Sequence, residues 1–563
     1  MTDSPLYQFS ATTVFLLMAG FYLATFLMTL FINKKDEDAD GYMVSSQNIG
    51  YGISAASMTA TWIWAASFYA AATSGFTYGL SGPLHYGLWG ALMILFIYPF
   101  GIRIRKLAPQ AHTLGEVIHA RHGSSSQLML ALSNLLGSLI SLMVNFTAAG
   151  ALVSVLSPLS FQHGVLMAGV GVLAYTFWSG FRASVLTDVA QVAAMIAIAV
   201  VIIPMVLFAM GGPEVLVDNM SALTVEQADF FSTEAIMEQG APFFVAVLAY
   251  AIGNQTISQR LFAVRQDLIK PTFITATISY AAIVIGLGMI GLMAAIVGLE
   301  PLDGDTNNII PQVISSYLSP VMIGLFFILV IGSLSSTADS DLAALSAIVM
   351  TDIYGKNIAR GKADPRKMLL LGRLTMVVAT TIGIIMASFS LNILVMLVFV
   401  GALWGAVVFP VIASMYWSRV TNTAFTSAVL AGLAFFCVAR FELLPMSGAI
   451  AVLFEIIAGI GGGVVIGLMA FGFCGKRIGL LSGLLGGLLL AIFSIGFLRD
   501  YTVLLSSLTA YGVSTLVCTG ISLLKPTHFD FELIRRRTGH FDHQETDIVA
   551  ASASSQDAPM AQH

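Results

Sequence analysis

Residues 333–351 read SLSSTADSDLAALSAIVMT, and this stretch grows out of Val321 to Ala338, a run without a single charge. Wound as a helix at about 100° per residue, it puts Ser333, Ser336, Thr337, Ser340 and Asp341 on one face and turns Asp339 away. Hydroxyls and carboxylates are the hard oxygen ligands that an alkali cation prefers, by the logic that governs hard divalent ions. Hydrogen bonds between helices would account for the hydroxyls. They account poorly for two aspartates inside one apolar segment, where each charge is costly and marks function by default.

That reading requires a membrane, and the composition supplies one. The chain has 563 residues, 57% hydrophobic and 10% charged, where soluble domains carry about 25% charged residues. Its mean hydropathy is +0.88. Phe15 to Phe31 and Val189 to Met210 are further uncharged blocks, and a bilayer core about 30 Å thick needs roughly 20 apolar residues per helix. Repeating this count along the chain predicts an all-α integral membrane protein of about fifteen transmembrane helices. Lys and Arg in the short loops collect on one side of that count, with only Arg440 and Arg499 opposite, which predicts an outside N-terminus and a cytoplasmic C-terminus. The place would be the inner or plasma membrane. Met1 to Pro5 has no basic stretch and no cleavage site follows Leu30, so Tyr7 to Asn33 reads as a retained span. Net charge −5 offers no footing for nucleic acid, and Cys437, Cys474 and Cys518 have no CxxC spacing.

A second interrupted segment runs from Ile53 to Ala66, ISAASMTATWIWAA, with Ser54, Ser57, Thr59 and Thr61 beside Trp62 and Trp64. A broken helix there would release carbonyls able to ligate a small cation; tight packing of small residues is the plainer account. Asp188 follows Arg182 closely enough for a salt bridge between them. Glu455 and Arg373 also fall in apolar spans, and His85, Tyr86 and Trp89 open the third span as interfacial anchors or ligand contacts. Neither GxxxxGK[ST] nor HExxH occurs, and the glycines from Gly459 to Gly463 read as helix packing. An ATP-driven pump, a catalytic site and an organic cofactor are therefore not expected. Thr113 to His122 reads as an interfacial helix, and the polar tail after Leu524 as disordered.

With the Ser336-Thr337 pair of SLSSTADS some sixteen residues ahead of Asp352-Ile-Tyr, the chain resembles the sodium/solute symporter family over roughly residues 42 to 480. The resemblance implies two inverted five-helix repeats with broken first helices, one helix before them and about four after. The units would be 1–47 (first helix and loop), 48–211 (first repeat), 212–240 (external loop), 241–417 (second repeat), 418–524 (additional helices) and 525–563 (cytoplasmic tail). It further implies a sodium site of Ser336 and Thr337 hydroxyls with carbonyls at Ser57 and Ala60 and the small-residue position Ser333. A second cation or proton site would combine Asp188, in WSGFRASVLTDVAQ, with Asp339 and Ser340; the family usually has a hydroxyl where Asp339 stands. TWIWAA, YGLSGPLHYG and RKLAPQAHTLGEVIHARHG look most like the urea active transporter branch. GNQTISQR, residues 253–260, is similar to a family-wide element, and Tyr250 falls where sugar carriers place an inner-gate tyrosine.

The expectation is sodium-coupled uptake of a small polar solute by alternating access, urea or a related nitrogen compound first. The solute would meet Thr61, Trp62, Trp64, Tyr86, Tyr250 and Asn254 near the midplane. Na+ is the expected coupling ion, with H+ as its alternative; an amino acid or monocarboxylate is the alternative solute. The partners are the solute and the lipid bilayer, with no protein partner evident. A transporter-derived sensor or a passive channel is the reading from another class. The tail is too short for a signalling module, and the oxygen-rich helix faces favour ion coupling over a channel.

Overall fold

The computed structural model describes residues 6–30, 43–44, 47, 49–360, 362–524 and 527–538. Helix α1 (Ala11–Thr29) starts at Ser10, whose hydroxyl accepts the Thr13 N–H and so satisfies one of the free donors of the first turn. The chain next forms α2 (Tyr51–Trp62) and α3 (Ala65–Tyr78), two halves of one path. Between them Ile63 (φ −81°, ψ 77°) and Trp64 (φ −67°, ψ 156°) leave helical geometry. Thr61-Trp62-Ile63-Trp64 is a β-branched and aromatic run with weak helix preference, and breaking it there frees the last carbonyls of α2.

The path continues through α4 (Gly82–Leu95), α5 (Ile97–Leu107), the short α6 (Leu114–His122), α7 (Ser124–Leu156) and α8 (Phe161–Ala209). Inside α8, Gly180 adopts φ 55°, ψ −135°, a conformation open to glycine, and turns the helix into two arms. The second half opens with another broken pair, α9 (Ala241–Gly253) and α10 (Gln255–Ala263), separated by the extended Asn254. Then come α11 (Ile269–Ile296), the short α12 (Ile309–Tyr317), α13 (Pro320–Ala347), α14 (Pro365–Ala387) and α15 (Ile393–Tyr416). Beyond Ala347, α13 widens into a π-type coil over Ile348–Ile358. Four more helices follow: α16 (Asn422–Arg440), α17 (Gly448–Cys474), α18 (Lys476–Phe493) and α19 (Thr502–Leu524). The architecture is two inverted five-helix repeats, each opening on a broken helix, with one helix before and four after. The break of α2/α3 packs against α8, α11 and α13, so the second repeat closes over the first.

Among the described residues thirteen helices are long and apolar enough to span a membrane, where the sequence predicts about fifteen. The other two expected spans fall short of that measure. Phe161–Phe177 is a shorter apolar arm, and 48–80 is interrupted by the break. The glycines of α17 do serve packing: a side chain on Gly463 would overlap Gly487 of α18, and one on Gly461 would overlap the Leu508 carbonyl. Glu455 is paired with Arg499 at 2.9 Å and accepts the Gly496 N–H at 3.0 Å. The Arg373 guanidinium lies 6.0 Å from the Phe177 ring centre.

The disorder expected after Leu524 does not hold for residues 527–538, which fold back onto α6; residues 539–563 lie outside the described part. A short helix, α20 (Glu532–Arg537), buries Ile534. Arg121 of α6 stacks 3.9 Å from the Phe529 ring centre and donates to the Val420 carbonyl at 2.9 Å. Arg537 donates to the Ala120 carbonyl at 3.3 Å. Helix α6 also carries Glu116, buried against Lys356 of the π-type coil at 3.0 Å, and its N-cap Thr113 donates to Asp352 at 2.6 Å. Burial and the neighbouring Arg121 charge push the His122 imidazole down to about 3, so it is neutral at physiological pH.

Candidate ion and solute site

The hydroxyl face of α13 meets the break of α2/α3 directly. Thr337 donates to the freed Thr61 carbonyl at 2.8 Å, and Ser333 donates to the Ile63 carbonyl. Both side chains are buried. Neutral hydroxyls thus face main-chain oxygens in a dry place, which is the donor chemistry a desolvated alkali cation needs.

One helical turn away the chemistry changes. Asp188, on the second arm of α8 and fully buried, is ion-paired with Arg260 of α10 at 2.9 Å. Its other contacts are the Ser57 hydroxyl at 2.6 Å and the Ser336 hydroxyl. Arg260 reaches Ser340 at 2.8 Å and Ser57 at 3.0 Å. The salt bridge from Asp188 to Arg182 is therefore replaced by one to Arg260. The reason is the second break, which turns α10 so that its arginine points back into the bundle.

The structure also divides residues that the helical wheel groups together. Ser336 and Thr337 are neighbours in sequence, yet one hydroxyl serves Asp188 and the other a break carbonyl. The side chain of Ser57 is engaged with Asp188, leaving its carbonyl as the part assigned to sodium. Asp339 lies against Tyr175 at 2.7 Å, away from the break. Asp341, expected on the shared face, instead accepts from Ser141 of α7 at 2.5 Å. Ser340 joins the clusters, bonding Arg260, Thr61 (3.1 Å) and Asp339 (3.2 Å).

On the other side of the break lies a small cavity of about 20 Å³, lined by Trp62, Trp64, Ser67, Tyr86, Gly90, Met93, Phe243, Tyr250, Tyr280 and Leu397. That is room for about one water and far below the roughly 300–1,000 Å³ of ordinary ligand cavities, so the aromatic walls must part to admit a solute. Its walls are edge-to-face aromatic pairs: Trp62 with Trp64 at 5.7 Å, Trp62 with Tyr250 at 5.9 Å, and Tyr86 with Phe243 at 5.2 Å. None of the lining side chains is charged. Phe243 also lines a larger vestibule of about 260 Å³ on the 212–240 loop side, together with Tyr78, Glu238, Arg440 and Asp500.

Four of the six expected solute contacts, Trp62, Trp64, Tyr86 and Tyr250, line this cavity. Thr61 does not, because its hydroxyl turns to Ser340 and its carbonyl to Thr337. Asn254 does not either: its Oδ1 caps α10 by accepting the Thr256 N–H at 2.8 Å. His85 has its ring against Gly240, and Trp89 packs on Phe244 at 5.1 Å. Ser67, Phe243 and Tyr280 had no signal in sequence, since they are ordinary residues in apolar runs. Arg260 did have one: an arginine inside a span demands a buried partner.

Two broken helices crossing at a dry oxygen cluster beside a small aromatic cavity define a secondary transporter of the inverted-repeat class. Residues 42–432 match the sodium:solute symporter family, and the chain belongs to it. It is a multi-pass membrane protein. It is 23% identical over 442 residues to "Probable urea active transporter 1" of Schizosaccharomyces pombe, an alignment covering 71% of this chain and 64% of that one. The chain thus spans just under two thirds of that relative's length. It is 26% identical over 410 residues to the sodium/pantothenate symporter of Escherichia coli, covering 69% and 82% respectively. A Na+-coupled sialic acid symporter, solved in a substrate-bound outward-open state, shares the fold with a TM-score of 0.65 at 17% identity, covering 84% of this chain and 98% of that one.

Proposed function

We propose that this symporter couples sodium entry to the uptake of a small, net-neutral polar solute, with urea or a related amide first. The observation that carries this reading is the cavity: aromatic on most sides, small, and without a charged side chain in its lining. A flat amide can lay its face on Trp62, Trp64 or Tyr250 while its N–H groups find hydroxyl oxygens such as Ser67 and Tyr280. A monocarboxylate would want a cation, and the nearby Arg260 is already held by Asp188. The urea transporter resemblance points the same way, and the pantothenate one is the competing case.

Sodium would bind the Ser336 and Thr337 hydroxyls with the carbonyls of Ser57, Ala60 and Ser333. It favours the state open to the 212–240 side only through its higher affinity for that state. The ion would order the break around the solute, since Thr61 and Ile63 carbonyls bound by α13 set where Trp62 and Trp64 point. The Asp188, Asp339 and Ser340 cluster already contains a positive charge in Arg260, which argues against a second sodium there. Proton coupling remains the alternative that Asp339 favours, because its closest partners are the hydroxyls of Tyr175 and Ser340. The two repeats would be 48–211 and 241–417, with the α6 face in the cytoplasm.

Uptake of labelled urea, proline, pantothenate and acetate into proteoliposomes, with sodium or proton gradients imposed separately, tests the reading. Sodium-driven accumulation of urea is expected. Accumulation of only the carboxylates, or uptake driven by protons alone, overturns it. For topology, external thiol reagents should label Asp305→Cys and Ser221→Cys but not Lys362→Cys.

A further inference from the structure

Trp404, in the middle of α15, is one of the largest fully buried side chains in the protein. Its indole is edge-on to Tyr250 at 5.0 Å, behind the cavity on the α6 side. Its Nε1 donates to the Ser133 carbonyl of α7 at 3.1 Å. Two glycines make the space it fills. A side chain on Gly137 of α7 would overlap the six-membered end of the indole, and one on Gly253, the last residue of α9, would overlap its Cβ end. The ring therefore spans from the first repeat to the break of the second, in a seat that only glycines on both sides permit.

From the level of this ring and running away from α6, α7 carries Asn134, Ser138, Ser141 and Asn145, spaced i, i+4, i+7, i+11 and so on one face. All four are buried, and Asp341 meets them through Ser141. Along this route polar atoms have no hydrogen-bond partner: Asn134 Oδ1, Asn145 Oδ1, Ser133 Oγ, and both ends of the Gln255 amide just past the second break. Buried groups without partners are uncommon and costly. A family of alternating-access carriers offers a reason to keep them, because polar surface at membrane depth is satisfied when it lines a water-filled passage.

We infer that Trp404 is a gating residue: with Tyr250 it closes the passage from the aromatic cavity along the α7 stripe, and opening toward the α6 face requires its indole to leave the Gly137–Gly253 seat. The inference depends on the transporter class and not on which solute is carried.

The test uses the full chain with Cys437, Cys474 and Cys518 replaced by Ser and one reporter, Asn134→Cys, labelled by N-ethylmaleimide in sodium-containing detergent buffer. A second reporter, Ser506→Cys, is buried on α19 away from this route. Trp404→Ala should speed labelling at 134 about tenfold, the effect of roughly 1.4 kcal/mol lost from the closed state, and leave 506 unchanged. Gly137→Ala should act in the same direction by pushing the indole out. Combining it with Trp404→Phe, whose smaller ring leaves room for the methyl, should return labelling at 134 most of the way to the parent. If Trp404→Ala does not fold, the Gly137→Ala pair carries the test alone. Unchanged labelling at 134, equal acceleration at 506, or no rescue in the double variant overturns the assignment.

Discussion

Two polar clusters, one turn apart on α13, do opposite things with the same kinds of residue. At Ser333 and Thr337 the hydroxyls meet neutral carbonyl oxygens of the α2 break, with no side-chain charge among these partners. At Ser336 and Ser340 the partners are Asp188 and Arg260, so negative and positive charges already meet. On the proposed function the first cluster, joined by the Ser336 hydroxyl, would trade an ion with water as the cycle turns. The second holds its charges covalently tethered and fastens three helices, α8, α10 and α13, at one point. Hydroxyls alone do not make an ion site; what the facing helix presents decides it.

Arg260→Ala should produce the largest effect. Removing one member of a buried ion pair leaves the other charge uncompensated, which costs about 3–5 kcal/mol. Thermal unfolding of the purified protein should show that loss, and Arg260→Gln combined with Asp188→Asn should recover most of it. A melting temperature equal to the parent's in Arg260→Ala would dissolve the contrast between the clusters.

Thr337→Ala should act on the ion and also lower stability by about 1 kcal/mol, because its bond to the Thr61 carbonyl is lost. Losing one oxygen from a desolvated cation costs about 1–3 kcal/mol by analogy with a broken buried hydrogen bond, so half-saturating sodium for uptake should rise about five- to hundredfold. Ser336→Ala should raise it too and lower stability by about 1 kcal/mol as well, because its bond to Asp188 is lost. Sodium curves that match the parent in both variants would remove the ion from this face altogether.

Asn254→Ala should cost about 0.5–2 kcal/mol of stability through the lost cap of α10, with the solute's half-saturation unchanged. A large rise in half-saturation would return Asn254 to the cavity. The smallest effect is expected from Ser346→Ala. Its hydroxyl meets only the Met350 sulfur at 3.5 Å, a second-order contact, so uptake and melting should both stay at the parent's values.

These contrasts mark how far the sequence could be read. Uncharged blocks of membrane length and the SLSSTADS face announced the helices and the hydroxyl-rich face of α13, because apolar length and helical spacing act locally; the inverted repeats came only with the family resemblance. Asp188 was visible as an intramembrane charge, but its partner was not. Arg182 is near in sequence, whereas Arg260 arrives only through the turn at Asn254, a long-range geometry that spacing does not encode. Asn254 looked like a solute ligand for the converse reason: a polar side chain beside a break can satisfy the backbone locally and stop there. Trp404 lies in an apolar run, where an aromatic residue carries no mark of a gate. In the tail, Phe529, Phe531 and Ile534 were too few to outweigh a polar composition, yet each finds a place on the α6 face.

That folded-back tail has a consequence for how the protein is made. Arg537 and its acceptor Ala120 are separated by 417 residues, and ribosomes add about 5–20 residues per second. Helix α6 therefore waits roughly 20–80 s after its own synthesis for the segment that covers it. The second repeat is itself made during that interval, and throughout it Arg121 lacks its aromatic cover. The α6 face is thus completed last, by residues that emerge after every membrane-spanning helix.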